Sequence, residues 1–251
     1  MTINPKKILI ISSDYDNFFF KPIIFKLNKE LTGSSVLMLN KSSTKKYSIL
    51  KRNIFLLLMF SLKEIFELIY NITKFQFIKK KFDYHQTGIQ SINSDKFFNF
   101  LENNKYDLIV LINCVEIIKL KTLKKINTEV VNFHPGLLPK YRGFFPNFYS
   151  ILNKEKNIGL TFHKVDSKID QGPIIKKHLV SIDYSKGLLH TYKQLYFNDE
   201  SINFFKKCIL EYDSLKNKAL TQDDLNSYYT FPQISELLKF KFKKINKLIN
   251  F

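Results

Sequence analysis

Asn132 and His134 stand two residues apart in the run Val130-Val131-Asn132-Phe133-His134-Pro135-Gly136. If Val130–His134 is a strand, side chains at i and i+2 share a face, so the carboxamide and the imidazole lie side by side. Pro135 has no backbone N–H and should end the ladder just beyond them. A carboxamide that donates N–H, beside a ring that exchanges a proton near neutral pH, is a pair able to do chemistry. The same residues also read as a hydrogen-bonded Asn and His closing a strand end. A second run, Gly159 to Ile175, repeats the alternation. It places Thr161 and His163 on one face and carries Asp170 in a loop closed by Gly172-Pro173, free to reach another strand end.

The chain concentrates its special backbone residues around these positions. Of seven glycines and seven prolines, Gly136, Gly143, Gly159, Gly172 and Gly187 lie between 135 and 187, with Pro135, Pro139, Pro146 and Pro173. Three of the five histidines, His134, His163 and His178, fall in the same stretch or at its edge. Such a stretch builds shaped loops, and loops on a rigid scaffold are where sites sit.

The scaffold reads as α/β. Buried strands are expected at Lys7–Ser12, Ser35–Leu39, Asp107–Asn113, Glu129–His134, Gly159–Val165 and Ile174–Ile182. Helices are expected around Phe18–Leu31 and Ile117–Ile126. This alternation predicts a largely parallel twisted sheet flanked by helices, with ligands bound beyond the carboxyl ends of its strands. Residues 1–190 form the expected catalytic domain. Residues 191–251 form a helical C-terminal extension without independent domain status. Within the first unit, 47–82 is apolar, rich in lysine and helical in pattern; packing on the core or a partner subunit is favoured over an anionic membrane surface. This segment and the C-terminal helix are the faces on which a homodimer would rest.

Forty Lys+Arg against 22 Asp+Glu give a net charge of +18. Only Arg52 and Arg142 are arginines, which argues against nucleic-acid recognition built on bidentate contacts. Two cysteines, Cys114 and Cys208, suggest neither a disulfide framework nor a zinc site. The apolar N-terminal run meets Asp14 too soon for a signal peptide, and the longest apolar run, Ile54–Phe60, is far below the roughly 20 residues that span a bilayer. A cytoplasmic protein without a bound metal is the expectation.

Taken jointly, Asn132-x-His134-Pro135-x-x-Leu138-Pro139-x-Tyr141-x-Gly143, Gly159-x-Thr161-x-His163 and Asp170-x-Gly172 resemble the 10-formyltetrahydrofolate-dependent formyltransferases over about Lys105 to Ile182. In outline the chain is closest to the sugar-nucleotide N-formyltransferases. The resemblance implies a Rossmann-like formyltransferase fold and 10-formyltetrahydrofolate as co-substrate. It also implies a catalytic trio of Asn132, His134 and Asp170. The pteridine would lie along backbone groups of Cys114, Val115, Glu116, Ile117 and Ile118. His163 and Thr161 are read as shaping the site. Lys140, Tyr141 and Arg142 are candidates for stacking on a base or meeting a diphosphate, and Gly143 is read with His163 and Thr161 as shaping the site. His178 and His190 match nothing in the family pattern.

The acceptor follows by elimination within that resemblance. Glycinamide ribonucleotide enzymes carry a glycine-rich phosphate loop near the N-terminus, where this chain has Ile11-Ser12-Ser13-Asp14-Tyr15-Asp16. Methionyl-tRNA formyltransferases carry a β-rich C-terminal domain, for which the tail after Gly187 is too short and too helical in pattern, although the lysine-rich charge keeps tRNA open; methionyl-tRNA and glycinamide ribonucleotide stand as the alternative acceptors. The remaining acceptor is the amino group of a nucleotide-linked amino-deoxysugar for surface polysaccharide such as lipopolysaccharide. A folate-binding or membrane-associated module without turnover is the non-enzymatic alternative.

Overall fold

The computed structural model describes residues 6–13, 20–39, 54, 57–79, 88–223 and 227–249. Six strands form one sheet: β1 (Ile8–Ser13), β2 (Ser34–Leu39), β3 (Leu108–Ile112), β4 (Glu129–His134), β6 (Asn157–Lys164) and β7 (Ile174–Ser181), in the spatial order β2-β1-β3-β4-β6-β7. The first four are parallel. β6 then pairs antiparallel with β4, and β7 antiparallel with β6. The expected strands are all present, and the sheet is mostly parallel with an antiparallel edge.

Period-two alternation explains how the sheet is buried. Ile8, Ile10, Val36, Met38, Leu108, Val110 and Ile112 face a large cluster. Leu9, Ile11, Leu37, Leu39, Ile109 and Leu111 face a smaller one. Strands covered on both faces read as continuous apolar runs, as Ile8–Ile11 and Leu108–Ile112 do. Helix α1 (Phe20–Glu30) crosses over from β1 to β2 and buries Ile23, Ile24 and Leu27 in the large cluster. Helices α2 (Leu62–Lys79) and α3 (Asp95–Asn104) separate β2 from β3. α3 has no counterpart among the expected elements, yet Ser94 caps it by accepting the Phe97 N–H. The short α4 (Leu120–Lys125) lies between β3 and β4.

Parity then places the candidate site. Val130 packs in the smaller cluster, so Asn132 and His134 point to that same face, while Val131 and Phe133 join the large cluster. On β6, Leu160 and Phe162 join the large cluster, which turns Thr161 and His163 to the face of Asn132 and His134. The smaller cluster thins out beyond Val130, leaving the carboxyl end of β4 for loops to cover.

The tail departs from the uniformly helical expectation. α5 (Pro146–Leu152) precedes β6; α6 (Leu188–Tyr196), α7 (Asp199–Leu210) and α8 (Tyr212–Leu215) follow β7. A 3-10 turn at Lys216–Lys218 then opens into extended chain, with Leu220 bridged to Ile174. Two short strands, β5 (Arg142–Gly143) and β8 (Tyr228–Tyr229), pair in parallel as a second sheet before α9 (Ile234–Ile249). Among the described residues no helix is long and apolar enough to cross a membrane. The turn at Asp14–Asp16 and parts of 47–82 lie outside the described residues.

Candidate active site

His134, the last residue of β4, is 2% exposed. Its Nε2 lies 2.7 Å from the Tyr141 carbonyl oxygen. A carbonyl only accepts, so Nε2 carries a proton and donates it. The other ring atom, Nδ1, faces Asp170 Oδ1 at 3.5 Å. Any proton exchanged by this ring therefore passes on the Nδ1 side, where Asp170 stands. Tyr141 matters here through its backbone carbonyl, a role its side chain did not announce.

His163 is fixed as cleanly. Its Nδ1 donates to the Lys164 carbonyl at 2.8 Å. Its Nε2 lies 3.1 Å from Asn132 Nδ2, which can only donate. The ring is thus neutral, protonated at Nδ1 and accepting at Nε2. Burial is the main cause of a depressed pKa of about 4, opposed by the nearby Asp170 carboxylate and reinforced by His134. Register makes the contact, since Asn132 pairs directly across from His163, as His134 does from Thr161. One N–H of the Asn132 carboxamide is spent on His163, and the second is left to reach a ligand.

Asp170 arrives from the loop before β7. Its Oδ1 also lies 3.9 Å from His163 Nε2, and its Oδ2 accepts the Gly143 N–H at 3.0 Å. Its backbone is left-handed, with φ at 54°, a conformation that a non-glycine residue keeps only when its surroundings hold it. Gly172 makes the return possible: a Cβ there would collide with the Lys164 carbonyl. Gly143 likewise has φ at 90° and no room for a Cβ against the Tyr229 carbonyl. Thr161 is fully buried; its hydroxyl donates to the Gly136 carbonyl at 2.6 Å and accepts the Leu138 N–H at 3.1 Å, pinning the loop after β4.

The Cys114–Ile118 segment leaves the carboxyl end of β3, next to that of β4. It is held from outside the expected residues. Glu116 accepts from Ser91 Oγ, the Ile92 N–H and Asn93 Nδ2. Asn93 also donates to the Ile117 carbonyl at 3.0 Å and accepts from the Lys119 N–H and Thr122 Oγ1. The Val115 N–H reaches Ser13 Oγ at 3.1 Å. Glu116 is therefore a staple, while Ile117, 59% exposed, presents an apolar side chain outward. Burial pushes the Cys114 thiol up to about 12, so it is no nucleophile.

The candidates for base and diphosphate contact divide. Tyr141 is 1% exposed, with its hydroxyl donating to Glu155, and Arg142 is 3% exposed. Both side chains are turned into the protein, away from the exposed surface. Lys140 is exposed but ion-paired with Glu155. Two aromatics are exposed at this edge, Phe144 at 45% and Tyr228 at 48%, and the Tyr228 ring covers Gly143. Its hydroxyl is pushed up by burial first and then by the Asp170 charge. His178 stands apart from the site, against Ser201 and stacked on Phe204 in the core. Sequence reasoning missed Asn93, Gln222 and Tyr228. Only Asn93 carried a signal, in the Ser94-Asp95 helix start beside it.

A family model described as formyl transferase matches residues 6–202. The bifunctional polymyxin resistance protein ArnA of Wigglesworthia glossinidia brevipalpis is 31% identical over 159 residues, 62% of this chain and 24% of that protein. A GDP-perosamine N-formyltransferase of Brucella melitensis is 33% identical over 91 residues, 36% of this chain and 35% of that protein. Methionyl-tRNA formyltransferases also stand among the relatives. The chain thus spans about a quarter to a third of the length of these curated relatives. A crystal structure of the formyltransferase PseJ from Anoxybacillus kamchatkensis, in complex with UDP-4,6-dideoxy-4-formamido-L-AltNAc and tetrahydrofolate, has the same fold. It shows a TM-score of 0.50 and 18% identity, covering 97% of this chain and 92% of that one.

Proposed function

Because the chain belongs to the formyl transferase family, we propose that it is an N-formyltransferase. It moves the formyl group of 10-formyltetrahydrofolate to a primary amine, that of a nucleotide-linked amino-deoxysugar. The observation that carries this reading is the joint geometry of Asn132, His134, His163 and Asp170 at the end of β4. The folate supplies an activated formyl carbon attached to a nitrogen that can leave.

The residues then have separable work. When the amine attacks, negative charge gathers on the formyl oxygen, and the second N–H of Asn132 is the donor for it. Such donors are typically worth about 3 kcal/mol in a water-excluded site. Neutral His163 keeps the carboxamide turned with its nitrogen inward, so the donor is set before the substrate arrives. As the new C–N bond forms and the old one breaks, one proton leaves the amine and one reaches the departing nitrogen. His134 and Asp170 exchange them at the Nδ1 side, directly or through water. His134 Nε2 stays committed to the Tyr141 carbonyl.

The Cys114–Ile118 segment suits a flat, hydrogen-bonding heterocycle. It follows β3, the strand paired with β4, it is anchored by Glu116 and Asn93, and Ile117 offers an apolar wall. The sugar acceptor rests on names: a GDP-perosamine N-formyltransferase among the relatives, and a formamido sugar nucleotide with tetrahydrofolate in the PseJ structure. The exposed rings of Phe144 and Tyr228 beside Gly143 are the ones we assign to a nucleotide. Both ligands are anionic, and a chain with a net charge of +18 gathers them. The reaction belongs in the cytoplasm, where folates and nucleotide sugars meet, and serves surface polysaccharide synthesis.

The test is turnover with 10-formyltetrahydrofolate and a panel of amino-sugar nucleotides, following tetrahydrofolate release. Asn132→Ala, His134→Ala and Asp170→Ala should each fold and lose at least about a hundredfold in kcat. Near-normal turnover by the His134 or Asp170 variant would sink the assignment. Formylation of methionyl-tRNA in preference to every sugar, with steep salt dependence, would replace the acceptor.

A further inference from the structure

The segment returning after α8 passes beneath the Asp170 loop. Gln222 Nε2 lies 3.1 Å from the Asp170 carbonyl oxygen and 2.6 Å from that of Gly172. Both neighbours are acceptors, which settles the orientation of the carboxamide: its nitrogen faces the loop and donates to both. The two carbonyls flank the left-handed turn that swings Asp170 toward His134. A few residues on, the same segment reaches the partner of the Asp170 carboxylate. Arg142 N–H donates to the Ser227 carbonyl at 3.3 Å, and Phe144 N–H to the Tyr229 carbonyl at 2.9 Å. Gly143 sits between them, with its own N–H free to bind Asp170 Oδ2 at 3.0 Å. Ser227 Oγ adds a bond to the Pro139 carbonyl at 3.0 Å. Gln222 thus holds Asp170 at its backbone, and residues 227–229 hold the strand that binds its side chain. Gln222 and residues 227–229 lie beyond residue 202, where the family match stops.

We propose that Gln222 is a positioning residue for the formyl transfer reaction, locking the left-handed Asp170 turn so that its carboxylate faces His134 Nδ1. The proposal rests on the formyltransferase reading for its kinetic part and on the hydrogen bonds alone for its structural part. Gln222 touches neither ligand and acts through Asp170. Displacing a catalytic group by about 1 Å can cost on the order of a hundredfold in rate. Losing the clamp should therefore appear in kcat and leave binding alone.

The experiment uses the full chain and Gln222→Leu, which fills the same space and donates nothing. Wild-type turnover is measured first. The expected result is a kcat lowered by about 10- to 100-fold, with KM for folate and for the sugar nucleotide each within about threefold. In the Asp170→Asn background, the same substitution should add less than about twofold, since both changes act on one interaction. Hydrogen exchange supplies a readout independent of activity. Amides of residues 166–172 and of Gly143 should exchange at least about tenfold faster in the variant, with β4 unchanged. Unaltered exchange in that loop overturns the proposal, as does unaltered kcat in an active enzyme. An equal loss in the Asp170→Asn background overturns it too, because it marks general destabilisation. A wild type without formyl transfer refutes the function instead, and exchange then decides the clamp alone. Should Gln222→Leu fail to fold, Gln222→Asn, which shortens the donor's reach, is read in the same way.

Discussion

Replacing His163 with glutamine tests the hydrogen-bond logic of the site without any assay of turnover. In the native protein the ring is 2% exposed, donates from Nδ1 to the Lys164 carbonyl and accepts from Asn132 at Nε2. Protonation would need Nε2 to turn from acceptor to donor against an N–H, in a site with little water. Burial thus holds the folded pKa at about 4, against an ordinary 6.5. A histidine depressed in the folded state contributes stability that is fully present above 6.5. That stability is lost as pH falls from there through 4, because the unfolded chain takes up the proton first. The difference corresponds to about 3 kcal/mol. In His163→Gln the new side chain cannot titrate and offers a carbonyl oxygen to Asn132, but it forfeits the Nδ1 bond, a loss of about 1 kcal/mol at pH 7. Urea unfolding of both proteins at intervals from pH 7.5 to 4 gives the comparison. Wild type should begin more stable by about 1 kcal/mol and lose about 3 kcal/mol more than the variant, so the curves cross near the middle of the range. Groups remote from His163, the buried His178 among them, behave alike in both proteins and cancel in the difference. A gap that stays constant within about 0.5 kcal/mol over that range would refute the neutral, doubly bonded His163.

Two other substitutions probe the loops around the trio. Gly143→Ala puts a Cβ at φ 90° against the Tyr229 carbonyl and beside the Tyr228 ring. It should lower stability by more than about 1 kcal/mol in thermal unfolding and lower kcat as the Asp170 partner shifts. Asn93→Ala removes the contacts that tie Glu116, Ile117, Lys119 and Thr122 together. Its expected effect is a KM for folate raised by about tenfold with the acceptor KM unchanged, and steady-state kinetics that vary each substrate in turn would show it.

Much of the site was legible because strand periodicity is local. The two-residue spacing of Asn132 and His134, and of Thr161 and His163, required only that each run be a strand for the pairs to share a face. The glycines and prolines from 135 to 187 marked the loops, since Gly143 and Gly172 occupy backbone that a Cβ would block. The partners of those residues were harder to see. Tyr141 looked like a stacking ring, yet its carbonyl orients His134 while its ring is buried. Glu116 looked like part of a folate-facing segment, yet its carboxylate is consumed by residues 91–93. Side-chain type is written in the sequence, but which way a side chain turns depends on what packs behind it.

By itself, the sequence determined the alternation of strands and helices, the loop-rich stretch that carries the chemistry, and the family motifs on Asn132, His134 and Asp170. These depend on periods of two to four residues and on short spacings, which the backbone's own geometry enforces. The tertiary structure alone decided that β4 and β6 run antiparallel in the register that sets Asn132 opposite His163. It alone decided that His134 gives Nε2 to the Tyr141 carbonyl and turns Nδ1 to Asp170, and that Gln222, about fifty residues beyond Asp170, bonds the backbone of that loop. Contacts of that range are selected by the packing of the whole sheet and its helices, so no local pattern in the chain encodes them.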